Sequence, residues 1–455
     1  MVRASKILGM GLLGLLAWTT PLRAVADDAA TLSNVTYAKD IAPILNENCS
    51  TCHRPQQVAP MSLLNYRQVR PWAKSIKTSV VEGTMPPWHA NPEYGDFKGA
   101  RVLTKEEIGK IVAWVDQGAR GGDLSKAPAE PTFDDETWRI GKPDALFSMV
   151  EPFQVADDVV DQYEHFIIPA ANPEDRDIAA MEIRAGAKEV VHHVLVYAIP
   201  STVGNANIFE DPTTAIQAKF ITGWAPGTDP LVYQGGYGKR IPANHDLIFQ
   251  LHYHKEAGPG TGAVDQSTLA VKFSEKPVER PATTAWIMDP LIQIPPHEAN
   301  YESISMFKFA NDGHILNMVP HMHLRGKDFK YVATYPDGTE ETLLDVPGYD
   351  FNWQTVYEYN EPKLVPKGTV VRAIAHFDNS ADNPYNPDPT QTVIFNEATT
   401  DEMMIGFMEY AYVDQSVPQM KWGFPENFDY GKMQQQFSGN DHDHSLHGKS
   451  DSAGE

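Results

Sequence analysis

The chain of 455 residues has little cysteine, fewer basic than acidic residues, and no long apolar run beyond its N-terminus. With only two cysteines it can form neither a disulfide framework nor a four-cysteine zinc site. The formal net charge of −23 argues against nucleic acid and anionic membranes as partners, and it favours a positively charged partner. No later stretch has the ~20 apolar residues of a membrane-spanning helix, so none is predicted. Core packing and any bound metals must hold the fold.

The N-terminus has the features of a secretory signal. Arg3 and Lys6 precede an apolar run over residues 7–18, and Ala-Val-Ala at residues 24–26 offers a cleavage point. The run of about a dozen residues is too short for a permanent anchor. Residues 1–26 are therefore predicted to be a signal peptide, and the mature protein is expected in a bacterial periplasm or secreted.

Both cysteines lie in one motif, Cys49-Ser50-Thr51-Cys52-His53. In a C-x-x-C-H run the two thiols add to the vinyl groups of haem, and the histidine is placed to bind the iron. The motif therefore predicts one covalent c-type haem on Cys49 and Cys52, with His53 as the proximal ligand.

The second axial ligand of the iron is predicted to be Met85. It lies in a Gly-Thr-Met-Pro-Pro-Trp loop at residues 83–88. A thioether on such a proline-rich loop resembles the methionine loop of class I cytochromes c. Met61 and His89 are alternative ligands.

Two helices are predicted around this motif. Helical apolar spacing covers residues 37–48, and Thr104 with Glu107 forms a capping box before a second amphipathic segment at residues 105–117. A haem motif between a first and a last helix predicts a small all-α, class I-like cytochrome c domain over residues 34–123.

From Trp138 onward the pattern of apolar residues becomes typical of β-strands. Short alternating runs separated by turn residues predict strands, among them residues 190–199, 246–253, 329–334 and 369–377. The expected fold class is multidomain: a small all-α cytochrome c domain followed by two all-β sandwiches of jelly-roll-like type. The predicted segments are a signal peptide (1–26), the cytochrome c domain (34–123), a linker (124–137), an N-terminal β-sandwich (138–285), a C-terminal β-sandwich (286–428) and a disordered polar tail (429–455).

Six of the sixteen histidines form three close pairs in this β-type sequence: His192 and His193, His252 and His254, and His321 and His323. Side chains at positions i and i+2 of a strand share a face, so the second and third pairs can each chelate copper or zinc. His192 and His193 would point to opposite faces of a regular strand, and they can share a metal only where the strand bulges or ends.

These histidines and a later methionine resemble those of the copper type II, ascorbate-dependent monooxygenases, the family of peptidylglycine α-hydroxylating monooxygenase and dopamine β-monooxygenase. The likeness covers roughly residues 160–415, about half the chain. The motifs occur in the family's order: an H-H pair (His192, His193), an L-H-Y segment (His252), an H-x-H pair before a basic-glycine stretch (His321, His323, Arg325, Gly326, Lys327) and an E-M segment (Glu402, Met403).

The resemblance implies two copper ions. The implied ligand sets are His192, His193 and His252 for the electron-transfer copper, and His321, His323 and Met403 for the copper at which O₂ is activated. Imidazoles suit both redox states of copper, and a thioether favours Cu(I). Met404 is the alternative to Met403, because neighbours in a strand point to opposite faces and only one can be a ligand. His254 and His376 are left as neighbours.

The chain departs from the family at three points. Its copper region has no disulfides. Val319, Ile405 and Phe407 stand where the peptide-amidating branch has an Arg, an Asn and a Tyr that hold a substrate carboxylate. A more apolar pocket is therefore implied, and peptidyl-glycine is a poor substrate. The family's animal enzymes also use ascorbate, whereas this chain carries a haem motif.

The predicted function is a haem- and copper-containing monooxygenase-like oxidoreductase that hydroxylates a small organic substrate with O₂. Electrons, supplied by a redox protein or a small reductant, would pass from the haem to the three-histidine copper and then to the His-His-Met copper. Two alternatives stay open. One is a non-catalytic copper-binding or electron-transfer protein. The other is a zinc hydrolase with a three-histidine site, which would need neither Met403 nor a haem.

Overall fold

A computed structural model describes residues 32–170, 172–203, 214, 217–429 and 431–432. The predicted signal peptide lies outside these residues, as does nearly all of the predicted tail. The chain divides into two compact units. The first contains residues 32–55, 59–87 and 101–132, and the second contains residues 56–58, 88–100 and the chain from Phe133 onward.

The helices lie in the first unit. Three have seven to twelve residues, and the other helical segments are single turns. The helical segments are a π-helical turn Tyr37–Ile41, α-helices Ala42–Asn48, Tyr66–Val69, Ala73–Glu82 and Lys105–Asp116, and 3₁₀ turns Arg70–Trp72 and Leu124–Lys126. None of the helices in the described part of the chain combines the length and the apolar character that a bilayer crossing requires.

The fold class predicted from the sequence is wrong. The chain is mostly β, with 37% strand and 12% helix, and an all-α cytochrome c domain over residues 34–123 is not present. The local helix signals were sound, but the sequence at 49–65 and 83–104 has no helical periodicity and forms turns and irregular chain. Gly83 ends one helix in the left-handed conformation, at φ 73°. A first and a last helix therefore did not imply a helical domain between them.

The capping box of the last long helix is confirmed. The Thr104 hydroxyl accepts a hydrogen bond from the Glu107 N–H at 3.2 Å, and the Glu107 carboxylate accepts one from the Thr104 N–H at 2.8 Å. The helix buries Ile111 and Trp114 in the core of the first unit, to which Leu45 also belongs.

The described residues of the second unit form twenty-three strands. The first twelve are β1 Ala145–Ser148, β2 Phe153–Val155, β3 Asp161–Ile168, β4 Arg176–Arg184, β5 Val191–Pro200, β6 Lys219–Trp224, β7 Leu231–Val232, β8 Tyr237–Ile241, β9 His245–His254, β10 Ala263–Asp265, β11 Thr268–Phe273 and β12 Arg280–Pro281. The others are β13 Thr283–Met288, β14 Gln293–Ile294, β15 Tyr301–Lys308, β16 Gly313–His321, β17 Gly326–Thr334, β18 Glu340–Val346, β19 Tyr357–Val365, β20 Val370–Phe377, β21 Val393–Ile394, β22 Ile405–Tyr412 and β23 Trp422–Gly423.

Four sheets build most of this unit. In the half formed by β1–β12, a sheet of order β3-β9-β5-β6 and a sheet of order β1-β11-β4-β8-β12, with β7 beside β4, contribute to one apolar core. In the half formed by β13–β23, the sheets have the orders β19-β16-β22-β13-β23 and β15-β20-β17-β18 and contribute to a second core. The pairs β10-β2 and β14-β21 are separate two-stranded sheets.

A buried ion pair joins the two halves of the second unit. Lys239 of β8 donates to the Glu409 carboxylate of β22 at 2.6 Å and to the Thr284 hydroxyl at 2.8 Å. The same carboxylate accepts a hydrogen bond from the Tyr233 hydroxyl at 2.7 Å. Both charged side chains are almost fully buried. Partners therefore satisfy both charges inside the protein.

Candidate metal centre

Three histidines converge where β5 pairs with β9. His193 lies directly opposite His252, and the register of the two strands shifts between Val191 and His193. This irregularity is the condition under which neighbouring His192 and His193 can face one metal. The ring centroids of His192 and His193 lie 5.5 Å apart. The ring centroid of His252 is 4.7 Å from that of His192 and 5.0 Å from that of His193. Ligand nitrogens of the three residues all lie within 4.8 Å of one another.

Two nitrogens of this group are buried without a hydrogen-bond partner, Nε2 of His192 and Nδ1 of His252. An unsatisfied buried polar atom costs about 1–3 kcal/mol, and native proteins rarely leave one. A metal bound at these nitrogens would remove that cost. The three residues therefore fit a metal ion.

Burial keeps these imidazoles neutral, which is the form that binds metal. Desolvation lowers the pKa of His192 and of His193 well below the usual value for histidine. Desolvation also lowers the pKa of His252, while its hydrogen bond to Asp161 opposes that effect.

His321 and His323 form a second pair. His321 ends β16, His323 follows in the loop, and their ring centroids lie 5.3 Å apart. Nδ1 of His321 is 2.9 Å from the amide oxygen of Gln354, and Nδ1 of His323 is 3.2 Å from the carbonyl oxygen of Asp401. When both Nδ1 atoms donate, Nε2 of each ring is left as a ligand. Desolvation lowers the pKa of His321 to about 4 and that of His323 to about 3.

The segment that carries Met403 runs beside this pair. The Glu402 carboxylate accepts hydrogen bonds from the backbone N–H groups of His323 and Arg325, at 2.8 and 2.6 Å. These bonds fix the chain next to Met403 against the loop that carries His323. Met403 and Met404 are both buried, and the choice of Met403 as ligand stays a prediction.

The two histidine groups face each other. The ring centroids of His193 and His321 are 6.3 Å apart. The buried ring of Phe351 stacks on His192, with centroids 4.4 Å apart and planes 17° apart, and its centroid is 6.2 Å from that of His323. The predicted histidine ligands of both coppers therefore lie in one cluster that includes an apolar ring.

An aromatic wall adjoins His321. The Phe407 ring centroid is 6.0 Å from that of His321, and Phe407 packs against Phe220 and Trp286. Val319 lies opposite Phe407 in the β16–β22 ladder. Two of the three positions at which the sequence departs from a carboxylate-binding pocket, Val319 and Phe407, thus form an apolar surface beside His321.

Sequence reasoning missed three residues of this centre. Asp161 belongs to no recognisable sequence motif. It lies directly opposite His254 in the β3–β9 ladder, so a correct pairing of these two strands would have identified it. Gln354 and Phe351 lie in an irregular segment between β18 and β19, where no periodicity marks them. His376, left as a neighbour, lies 2.7 Å from the Asp328 carboxylate.

The haem motif follows the end of helix Ala42–Asn48. The backbone N–H of His53 donates to the Cys49 carbonyl at 2.9 Å, and Nδ1 of His53 is 3.2 Å from the Met61 carbonyl oxygen. Donation from Nδ1 leaves Nε2 for iron, which is the usual arrangement of a metal-binding histidine. The two cysteines form no disulfide, and burial raises the pKa of Cys49 to about 12. These residues fit a covalent haem.

The candidate axial ligands lie in different places. Met85 follows the helix that ends at Glu82, is partly buried, and belongs to the same unit as His53. Met61 packs its side chain on the core of that unit, next to the motif. His89 belongs to the second unit. Met85 stays the predicted ligand.

A cleft of about 400 Å³ lies around Arg280, His314 and Glu358. His314 lies at the start of β16 and His321 ends it, so this cleft is at the far end of the strand from the histidine cluster.

Comparisons with known proteins add no relative. No family model matches the chain, and no curated protein matches it. Among solved structures, similarities occur with the major capsid protein P2 of bacteriophage PM2 (9% identity, covering 60% of this chain and 98% of that one, TM-score 0.24) and with PNGF-II (7% identity, 61% and 66%, TM-score 0.26). At such TM-scores these likenesses support no inference about fold or function.

Proposed function

We propose that this chain is an exported, haem- and copper-containing monooxygenase that hydroxylates a small apolar organic substrate with O₂. One observation carries the proposal. Three buried histidines with two unpartnered nitrogens face a second histidine pair, and 6.3 Å separates the rings of His193 and His321. Such a cluster of neutral imidazoles suits copper in both redox states.

Copper would supply the chemistry of O₂: one oxygen atom enters a C–H bond, the other leaves as water, and two external electrons and two protons are consumed. The chain's own residues prepare the ligands. Gln354 and the Asp401 carbonyl orient His321 and His323 through Nδ1. Asp161 does the same for His252 through Nε2, at 2.6 Å.

The apolar wall supports an apolar substrate. Phe407 and Val319 lie beside His321 and offer no group that pairs with a carboxylate. A substrate held there would keep water from the reacting C–H bond. Peptides ending in a free carboxylate are therefore expected to be poor substrates.

The haem motif supports an internal source of electrons. Haem on Cys49 and Cys52, bound by His53 and Met85, would transfer one electron at a time to the three-histidine copper. It would take the place of ascorbate, with a redox protein or small reductant as the first donor.

Metal content by mass spectrometry on haem-loaded protein tests the proposal. We expect about two coppers per haem, with His193→Ala and Met403→Ala each losing about one. Cys52→Ala should lose stable covalent haem and keep its copper. Met404→Ala is the matched control for Met403→Ala, and it should keep both coppers.

Zinc in place of copper would contradict the proposal and favour a hydrolase. Full copper loading without O₂ consumption over a panel of apolar substrates and reductants would also contradict it, and would favour a copper-binding or electron-transfer protein.

A further inference from the structure

A second group of metal-ligating side chains shares His252. Ligand atoms of Asp161, His252 and His254 lie within 4.8 Å of one another. Oδ1 of Asp161 is 2.6 Å from Nε2 of His252 and 3.1 Å from Nδ1 of His254. Zinc bonds to nitrogen and oxygen are about 2.0–2.2 Å long, so one ion can reach all three atoms after small shifts.

His252 presents its two nitrogens to different groups. Nε2 contacts Asp161, whereas Nδ1 is buried without a partner, and the rings of His192 and His193 lie nearby. An imidazole that gives up its N–H proton can bind one metal through each nitrogen. The geometry therefore allows His252 to belong to both groups at once.

We propose that Asp161, His252 and His254 bind a divalent cation of the zinc class, and that His252 bridges this ion to the copper of the three-histidine site. The bridge rests on the proposed function, because it needs copper at His192 and His193. The Thr399 hydroxyl lies 3.0 Å from Oδ1 of Asp161 and 3.4 Å from Nε2 of His252, so its oxygen would be a further ligand for the ion.

The donors and their exposure favour zinc over a second copper. Two imidazoles and a carboxylate are a common ligand set for zinc. The group contains no thioether, which is the ligand that would favour Cu(I). The side chains of Asp161 and His254 are 28% and 34% exposed, so an ion reaches them from solvent, whereas the three-histidine group is buried.

The test is metal content of haem- and copper-loaded protein that has been equilibrated with Zn²⁺ and freed of loosely bound ions. We expect about one zinc per chain. His254→Ala should lose the zinc and keep the copper. Asp161→Ala should also lose the zinc, and it should weaken copper binding because Asp161 orients His252. His245→Ala is the matched control, because His245 begins the same strand and its Nδ1 contacts the Ala243 carbonyl, so it should lose neither metal.

The bridge is tested by the Cu(II) electron paramagnetic resonance spectrum. Adding Zn²⁺ should shift the spectrum of the wild type and of His245→Ala, and leave that of His254→Ala unchanged. Zinc retained by His254→Ala, or zinc bound without any spectral change, overturns the inference. Copper bound without zinc contradicts the zinc site alone, whereas zinc bound without copper contradicts the proposed function and the bridge together.

Discussion

At the residue scale, the partner of one ring nitrogen decides which nitrogen remains for a metal. His321 and His323 contact oxygen acceptors through Nδ1, whereas His252 contacts Asp161 through Nε2. Such partners fix both the tautomer and the ring orientation. The ligand types were therefore readable from sequence motifs, but the ligand atoms depend on residues that carry no motif.

Phe351 is the residue whose loss should most disturb the cluster without removing a ligand. Its buried ring stacks on His192, so Phe351→Ala should lower the free energy of unfolding of the apo protein by about 3–5 kcal/mol, and Phe351→Leu by less. Urea denaturation measures both. Tyr385→Ala, at a position 69% exposed, is the control and should change stability little. Wild-type stability in Phe351→Ala would mean that the stack does not exist.

At the element scale, the irregularity in β5 makes a site from two adjacent histidines. The register shift between Val191 and His193 allows both rings to approach His252, whereas a regular strand would separate them by face. Here the backbone irregularity, and not only the identity of the side chains, decides whether the two histidines can bind one metal.

Deletion of Val191 should remove the irregularity and leave His192 and His193 on opposite faces. We expect the protein to lose about one copper, measured by mass spectrometry, and to keep its far-ultraviolet circular dichroism. Val191→Ala keeps the residue count and is the matched control, so it should keep both coppers. Unchanged copper in the deletion variant would show that the bulge is not what joins the two histidines.

Elements with a strong local signal were predictable from sequence. The predicted runs at 190–199, 246–253 and 369–377 correspond to β5, β9 and β20, each within about one residue. β20 alternates between buried and half-buried residues, whereas β5 and β9 are short apolar runs buried along almost their whole length, and both patterns indicate strands. The prediction of an all-α domain was wrong, because the segments between its two correctly predicted helices have no helical period and form irregular chain. Phe351 and Gln354 reach the histidines only through tertiary packing, which a sequence pattern does not encode.

At the whole-molecule scale, five buried histidines make stability depend on pH. The pKa values of His192, His193, His252, His321 and His323 are all lowered by burial. In the unfolded chain these groups titrate near 6.5, so below that pH the unfolded state binds more protons than the folded state. Stability is therefore present above about pH 6.5 and is lost as the pH falls, by up to about 1.4 kcal/mol per pH unit for each histidine.

Urea denaturation of the apo protein between about pH 7 and pH 4 measures this dependence. His321→Gln removes one titrating group whose pKa burial lowers, and it should flatten the curve. The reverse result, a protein that gains stability on acidification, would contradict the burial of these groups.

The Lys239–Glu409 pair has a consequence for inheritance. Each half of the second unit supplies one charge, and each half also supplies one of the two histidine groups. Removing one partner of a buried ion pair leaves an uncompensated charge and typically costs 3–5 kcal/mol. A recombinant that took one half from a relative with a neutral residue at either position would therefore dock poorly and misalign the histidines. Functional recombinants are therefore expected to inherit both halves from the same parent.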